Sequence, residues 1–213
     1  SSDVCSSDLA ELGRLREENP GAFEDASDWR SNLRELSKIN RRAEPCSEDS
    51  YLVSICDEAH AFHKVAAVHC FTTTAQKMAI KAGADTIEHM VFSDDESIGL
   101  IKEAGIPVTP TLAHRTDHAI QLRRELGTAE FVLAKLKRLQ PHCYKTFQDM
   151  YKAGIKIAMG TDMGFEPHFG TNSWELEVYV ALGMTPMHAI QTTTKNAAEA
   201  LRMSKDLGTL EAG

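Results

Sequence analysis

The stretch that decides the fold is Ile155-Lys156-Ile157-Ala158-Met159-Gly160-Thr161-Asp162-Met163. It is a short apolar run that ends abruptly in a glycine, a hydroxyl residue and a carboxylate. It follows directly on a helix-like segment closed by Ala153 and Gly154, and glycine suits the left-handed residue that ends a helix. The stretch is therefore predicted to be a buried strand that delivers Asp162 at its carboxyl end.

The same junction between helix and strand occurs earlier in the chain. Gly83 and Gly105 each follow an alanine at the end of a helix-like segment, and His63 takes the place of the glycine in a fourth, less regular unit. Counting six residues onward from these four junctions reaches the end of an apolar run each time. The four positions are His69, His89, Thr111 and Gly160. The predicted strands are Val65–His69, Asp85–His89, Ile106–Leu112 and Ile155–Met163.

Helical segments separate these strands. Ser93 or Asp94 is placed to cap one helix, and Thr185 followed by Pro186 is a favourable start for the last one. Two prolines in the third strand predict that it is short or kinked, because proline has no N–H for the sheet. The predicted helices are Ser50–Phe62, Thr74–Ala82, Asp94–Ala104, Thr128–Leu139, His142–Ala153 and Pro186–Leu201.

Strands that alternate with helices predict an α/β fold with parallel pairing and right-handed crossovers. Four such units are half of a (β/α)8 TIM barrel, which needs about 250 residues. An open half-barrel would expose two parallel strand edges and the inner layer of side chains. We therefore expect the chain to be the last four β/α units of a longer barrel, or to form a homo-oligomer that covers these surfaces.

The domain boundaries follow from composition. Residues 1–9 form a small-polar repeat that matches neither structural period, and we interpret them as a non-native leader. Residues 10–49 are rich in charge and poor in β-branched residues, which predicts a helical or irregular insertion on the outside. Residues 50–213 are then the C-terminal half of the barrel.

Charge and cysteine content narrow the class of partner. The 213 residues carry a net charge of -8, which argues against a nucleic-acid or membrane partner and favours a small molecule. No apolar run is long enough to span a membrane, and no signal peptide is visible. The sequence leaves the compartment open, with the cytoplasm slightly favoured. Five cysteines without a Cys-x-x-Cys pair indicate reduced thiols rather than a disulfide framework.

Polar groups at the predicted strand ends indicate a metal site. His69, His89 and Asp162 would meet in one cleft, because the carboxyl ends of barrel strands point to the same face. Two imidazoles and a carboxylate suit Zn²⁺ and leave coordination positions open for water. A lone histidine is more often a packing residue, but the repeated placement favours the ligand interpretation. His114 and Arg115 follow the third strand and would either hold a substrate carboxylate or lie in a solvated loop.

Five short motifs follow one another in a fixed order: Val-His-Cys at 68–70, Thr-Ile-Glu-His at 86–89, Pro-Thr-Leu at 110–112, Gly-Thr-Asp at 160–162 and the segment from Gly183 to Ala198. Through these motifs, residues Val65–Gly213 resemble the C-terminal half of a metal-dependent amidohydrolase, in the subgroup of imidazolonepropionase-like proteins and Xaa-Pro or Xaa-Lys/Arg dipeptidases. The resemblance makes His69 and His89 metal ligands that close strands 5 and 6. It makes Asp162 both a metal ligand on strand 8 and the proton shuttle.

Two features of the family are not found in this chain. The sequence has no His-x-His, and Lys38 lies in a helix-like context that does not suit the bridging lysine of strand 4. The residue three positions after His69 is Thr72, where deaminase relatives have a glutamate. The resemblance therefore implies amide hydrolysis rather than deamination, with part of a metal site that holds one or two divalent ions in the intact enzyme.

The function expected from this resemblance is hydrolysis of an amide C–N bond in a dipeptide or small cyclic amide. A metal-bound hydroxide would attack the carbonyl carbon, and Asp162 would pass the proton to the leaving amine. One alternative is an inert half-barrel that serves as a scaffold or oligomerisation module. Another is a phosphate-binding (β/α)8 isomerase or lyase, although Gly160-Thr161-Asp162 supplies a carboxylate where such a site needs N–H groups.

Overall fold

The computed structural model describes residues 48–164 and 169–211. The chain divides into two units between Ile55 and Cys56, and residues 48–55 are the described part of the first unit. These residues begin helix α1, Glu48–Ala61. The predicted leader 1–9 and nearly all of the predicted insertion 10–49 lie outside the described residues.

The second unit contains a parallel sheet of three short strands, β1 (Ala67–Cys70), β2 (Thr86–His89) and β3 (Val108–Thr109), in the order β1-β2-β3. Each strand follows a helix, so the predicted alternation and parallel pairing are confirmed. The third strand is only two residues long, as the prolines on either side of it predicted. Helices and strands together give the α/β class.

The fourth predicted strand, Ile155–Met163, is reduced to a single bridge. Ile157 pairs with Val108 in the parallel sense, and no longer ladder forms in the described part of the chain. The next donor from β3 would be the backbone nitrogen of Pro110, which has no N–H. On the other edge of this segment, the N–H of Met159 donates to the carbonyl of Thr192 at 2.9 Å, and the Asn196 amide donates to the carbonyl of Ile157 at 2.8 Å. These groups bond to C-terminal helices instead of a further strand.

Helix ends follow the local sequence closely. Asp94 caps α3 (Asp95–Ala104) by accepting the N–H of Ser97 at 2.7 Å, in a reciprocal capping box. The left-handed residues predicted at the junctions are confirmed, with φ of 85° at Gly83, 68° at Gly105, 76° at Gly154 and 56° at His63. The other helices are α2 (Thr73–Lys81), α4 (Asp117–Glu125), α5 (Glu130–Ala153), α6 (Trp174–Ala181), α7 (Pro186–Thr193) and α8 (Lys195–Ala200).

Two helix predictions were wrong in detail, and one helix was missed. The two helices predicted on either side of Pro141 are one helix, α5, because a proline in a helix interior removes one hydrogen bond, which the buried face of a 24-residue helix can offset. The last helix is broken at Thr194, whose φ and ψ of -115° and -95° are not helical. Helix α6 had no strong local signal and was not predicted.

The core lies between the sheet and the helices. Ile87 and Val108 in the strands are fully buried, as are Phe147 in α5 and Tyr179 in α6, whose rings stack at 4.8 Å. Burial of each such side chain contributes about 1.5–3 kcal/mol. At the opposite end of the sheet from the strand carboxyl ends, Asp85 accepts the N–H of Ala66 and bonds His60 Nε2, each at 2.8 Å.

Candidate functional site

The two predicted histidine ligands lie side by side at the carboxyl edge of the sheet. The rings of His69 in β1 and His89 in β2 have centroids 4.4 Å apart and meet edge to face. The strand register pairs His89 with Cys70, the residue after His69. In a regular sheet the side chains of His69 and His89 would therefore point to opposite faces. His89 has a left-handed φ of 74°. We infer that this backbone conformation turns the ring toward His69.

Asp162 lines the same cavity as these two histidines. It has a φ of 49°, so two of the three predicted ligands occupy a backbone region that non-glycine residues rarely adopt. Strained residues of this kind cluster at functional sites. The cavity has a volume of about 260 Å³, and its described lining is His69, Phe71, His89, His114, Arg115, Arg123, Val132, Lys135, Leu136, Leu139 and Asp162.

His89 is held in one orientation by Thr111. Its Nδ1 atom lies 2.7 Å from the Thr111 hydroxyl, which leaves Nε2 for another partner. Burial, with the nearby His69, lowers the pKa of His89 to about 4, although Asp162 opposes the shift. The ring is therefore neutral at pH 7, which is the form that binds a metal. An oriented ring with a bonded second nitrogen is typical of metal-binding histidines.

The described residues contain no group of three His, Cys, Asp or Glu side chains arranged closely enough to hold a metal ion. His69, His89 and Asp162 share the cavity without converging on one point. The donor types nevertheless fit a divalent metal, because the cavity offers two imidazoles and a carboxylate. The chain thus brings the three predicted residues to one cavity, but not into the arrangement of a metal site.

His114 and Arg115 also line this cavity, from a single 3-10 turn over Ala113–Arg115. They are not in a solvated loop, because only 5% of His114 and 3% of Arg115 are exposed. The Arg115 guanidinium lies 5.2 Å from the centre of the Phe71 ring, and its Nε atom is buried without a hydrogen-bond partner among the described residues. A buried cation with an unpaired donor is costly unless an anion joins it.

Burial, together with the charge of Arg115, lowers the pKa of His114 to about 4. The ring is thus neutral at pH 7, and its Nδ1 lies 3.3 Å from the carbonyl oxygen of Thr161. This contact joins the 3-10 turn to the segment that carries Asp162. The turn that carries the two residues predicted to bind substrate is therefore joined by a hydrogen bond to the segment that carries Asp162.

Six lining residues were not predicted from the sequence, and three of them are aromatic or charged. Phe71 stacks on His69 at 4.7 Å and meets His89 edge to face at 5.5 Å, and its position two residues after His69 was the available signal. Arg123 in α4 and Lys135 in α5 had no such signal, because they lie in a long, charged helical stretch. Arg115, Arg123 and Lys135 give the described lining three cations against the single carboxylate of Asp162.

Thr72 has a structural task. It is the N-cap of α2, and its hydroxyl accepts the N–H of Ala75 at 3.3 Å. The position where deaminases carry a glutamate is thus occupied by a helix cap.

No helix in the described part of the chain is both long and apolar enough to cross a membrane.

Known proteins are similar to this chain over most of its length. A sequence model described as "Amidohydrolase family" matches residues 17–213. Ochratoxinase from Aspergillus niger is 34% identical over 145 residues, which are 67% of this chain and 29% of that protein. Imidazolonepropionase from Pyrobaculum arsenaticum is 30% identical over 157 residues, covering 67% of this chain and 36% of that protein.

Solved structures show the same likeness. A Xaa-Pro dipeptidase with methionine bound in its active site has a TM-score of 0.70 and 34% identity, over 80% of this chain and 42% of that one. The structure of A. niger ochratoxinase has a TM-score of 0.65 and 31% identity, over 78% of this chain and 38% of that one. The chain thus spans less than half the length of each of these relatives.

Proposed function

Because this chain belongs to the amidohydrolase family, whose model covers residues 17–213, we propose that it is the C-terminal part of a (β/α)8 barrel that hydrolyses an amide C–N bond. The observation that carries the proposal is the single cavity that holds His69, His89 and Asp162 at the carboxyl ends of parallel strands. Catalytic groups of (β/α)8 enzymes lie at this face of the barrel. A dipeptide or a small cyclic amide is the proposed substrate.

His69, His89 and Asp162 would hold a divalent metal, for which Zn²⁺ is the proposed identity. Neutral imidazoles and a carboxylate are ligands that zinc accepts, and three protein ligands leave a position open. A bound metal would polarise the substrate carbonyl and make water a better nucleophile at neutral pH. The left-handed backbone at His89 and the Thr111 contact prepare the His89 ring for this role.

Asp162 is the proposed proton carrier. Water adds to the amide carbon, and its proton passes to the Asp162 carboxylate. The C–N bond then breaks as Asp162 gives that proton to the amine nitrogen, and the products are a carboxylic acid and an amine. The hydroxyl of Thr161 accepts the N–H of Met163 at 3.3 Å, which supports the turn that presents Asp162.

Arg115 and His114 are proposed to bind the carboxylate of the substrate. The guanidinium group of Arg115 is buried beside the cavity, and it can donate two parallel hydrogen bonds to a carboxylate. The Nδ1–H of His114 donates to the carbonyl of Thr161. Its Nε2 can donate to the carboxylate only when the ring is protonated, a form that a bound anion itself favours. The three cations of the described lining favour an anionic substrate over a neutral one.

An inert scaffold is the second candidate, and one observation favours it. His69, His89 and Asp162 do not converge as a ready group of metal ligands within the described residues. On this proposal the half-barrel keeps the family fold but serves only for assembly, and metal would not bind at these strand ends.

Zinc content tests the two proposals against each other. We expect stoichiometric zinc in the purified wild-type chain and its loss in His69→Ala and in His89→Ala, measured by elemental analysis. His142→Ala is the matched control, because His142 is exposed and lies outside the cavity lining. Amine release from a Xaa-Pro dipeptide by the zinc-loaded chain tests the reaction. A folded wild-type chain without zinc would overturn the metal site and favour the scaffold.

A further inference from the structure

The turn that carries His114 and Arg115 is held by a carboxylate from a distant helix. Glu175 in α6 is fully buried, and its two oxygens accept the N–H groups of Leu112 at 2.6 Å and Ala113 at 2.7 Å. The described residues form no ion pair with Glu175. A buried carboxylate outside an ion pair is costly even when it is hydrogen-bonded. The charge of Arg115 offsets only part of that cost, because the pKa of Glu175 stays raised. Such a residue calls for a specific reason.

The bonding pattern of the turn supplies that reason. The 3-10 turn Ala113–Arg115 has Leu112 at its start, and no side chain of that local segment caps it. The first N–H groups of a helical turn need partners from elsewhere. Glu175 provides them from 62 and 63 residues away in sequence. It therefore acts as a cap that only the tertiary fold can deliver.

The hydrogen bonds continue from Glu175 to Arg115. Leu112 donates its N–H to Glu175, and its carbonyl accepts the N–H of Arg115 at 2.9 Å. The carbonyl of Arg115 accepts the side-chain amide of Gln140 at 2.8 Å. Both backbone groups of Arg115 are thus fixed, and the guanidinium group is delivered to the cavity from a rigid position.

We propose that Glu175 is a positioning residue for the anion-binding subsite, because it fixes the backbone turn that presents Arg115 and His114 to the carboxylate of the substrate. This inference rests on the proposed function, since that function assigns the carboxylate to these two residues. Glu175 does not line the cavity, so it acts through the turn. The ligand class is a carboxylate next to an amide group.

The test measures binding, so that it does not depend on turnover. N-acetylglycine is the carboxylate probe and N-acetylglycinamide is its neutral counterpart, each titrated into the chain by calorimetry. Glu175→Gln removes one of the two acceptor oxygens, because an amide has only one. We expect it to weaken N-acetylglycine binding about tenfold or more, as for loss of a charge-assisted contact, and to leave N-acetylglycinamide binding unchanged.

Glu177→Gln is the matched control, because it makes the same chemical change two residues along the same helix at an exposed position. It is expected to bind both probes as the wild type does. A double-mutant cycle with Arg115→Met then tests the route of the effect. If Glu175 acts through Arg115, Glu175→Gln causes no further loss of N-acetylglycine binding in the Arg115→Met background. Equal losses in both backgrounds would overturn the inference.

Amide hydrogen exchange gives an independent readout. The amides of Leu112 and Ala113 should exchange faster in Glu175→Gln, whereas amides in α5 should keep their protection. If Glu175→Gln does not fold, Glu175→Asp replaces it, since the shorter side chain keeps the charge but cannot reach both N–H groups. Unchanged exchange and unchanged N-acetylglycine affinity in either folded variant would overturn the positioning role.

Failure of this inference is distinguishable from failure of the proposed function. A wild-type chain that prefers N-acetylglycine, with Glu175→Gln unaffected, overturns the positioning role and leaves the amide hydrolase proposal intact. A wild-type chain that does not distinguish the two probes overturns the anion subsite, and the inference with it. The zinc and amine-release measurements are unaffected by either result.

Discussion

Replacing Gly160 by alanine should destabilise the fold through one identifiable contact. A Cβ atom at this position would lie 2.5 Å from Cγ2 of Thr109 in β3. Favourable carbon contacts need about 3.5–4.0 Å, so either backbone or the threonine must move. Thr109 is β-branched and stiff at χ1. Overpacking of this kind costs about 1–3 kcal/mol, and we expect Gly160→Ala to lower the free energy of unfolding by that amount.

Urea unfolding measures the loss, read as a lower midpoint with an unchanged m-value. Thr109→Ser removes the Cγ2 atom, so Gly160→Ala should cost less than about 0.5 kcal/mol in that background. Gly99→Ala is a control that should raise the free energy of unfolding rather than lower it. Gly99 lies inside α3 with nothing within 4 Å of its added Cβ, and alanine there should stabilise the chain by about 0.5–1 kcal/mol.

The reasoning is refuted if Gly160→Ala costs the same in both backgrounds. That result would mean that the penalty does not come from the Thr109 methyl group. The contact matters for the site, because Gly160 lies two residues before Asp162. A glycine is needed here for close approach to β3, and its place in Gly160-Thr161-Asp162 is thus explained by packing.

Two further predictions concern how two carboxylates change the stability of the fold with pH. Asp85→Asn should lower the free energy of unfolding by about 1–3 kcal/mol at pH 7, because it weakens the bonds to Ala66 and His60. Burial alone would raise the pKa of Asp85, but these partners and Arg202 lower it on balance. The stabilising effect of Asp85 should therefore fade as the pH falls below about 4. A difference in unfolding free energy between wild type and variant that stays constant across that range would contradict this. Burial raises the pKa of Glu175 from 4.5 to about 7, against the opposing bonds from Leu112 and Ala113. Stability linked to Glu175 is therefore present below about pH 4.5 and is lost as the pH rises through about 7. Because His89 and His114 also titrate in this range in both chains, the measurement is the difference in unfolding free energy between the wild type and Glu175→Gln in urea, and that difference should show this slope.

Local signals in the sequence were sufficient for several helix ends. The glycines that close α3 and α5, the Asp94 cap, and the Thr185 cap before Pro186 were predicted and are confirmed. Each depends on backbone angles and on hydrogen bonds within about four residues, which residue type restricts strongly. Where this local logic was weak, as at α6, the prediction failed.

The positions of His69, His89 and Asp162 in the sequence also predicted that these residues lie in one cavity. Parallel strands point their carboxyl ends to one edge, so a residue that ends a strand is placed near the others without knowledge of the packing. The family membership was also predicted from these motifs and is confirmed. The roles of the three residues in metal binding and proton transfer stay predictions.

The tertiary structure alone decided the rest of the site. It reduced the fourth strand to a bridge at Ile157, brought Arg123 and Lys135 to the cavity, and set Glu175 against the N–H groups of Leu112 and Ala113. These contacts join residues far apart in sequence, and their energy comes from burial and from shape. Residue type restricts the backbone angles of a residue and its near neighbours. It does not decide which distant groups come into contact, because those contacts form only when the helices pack.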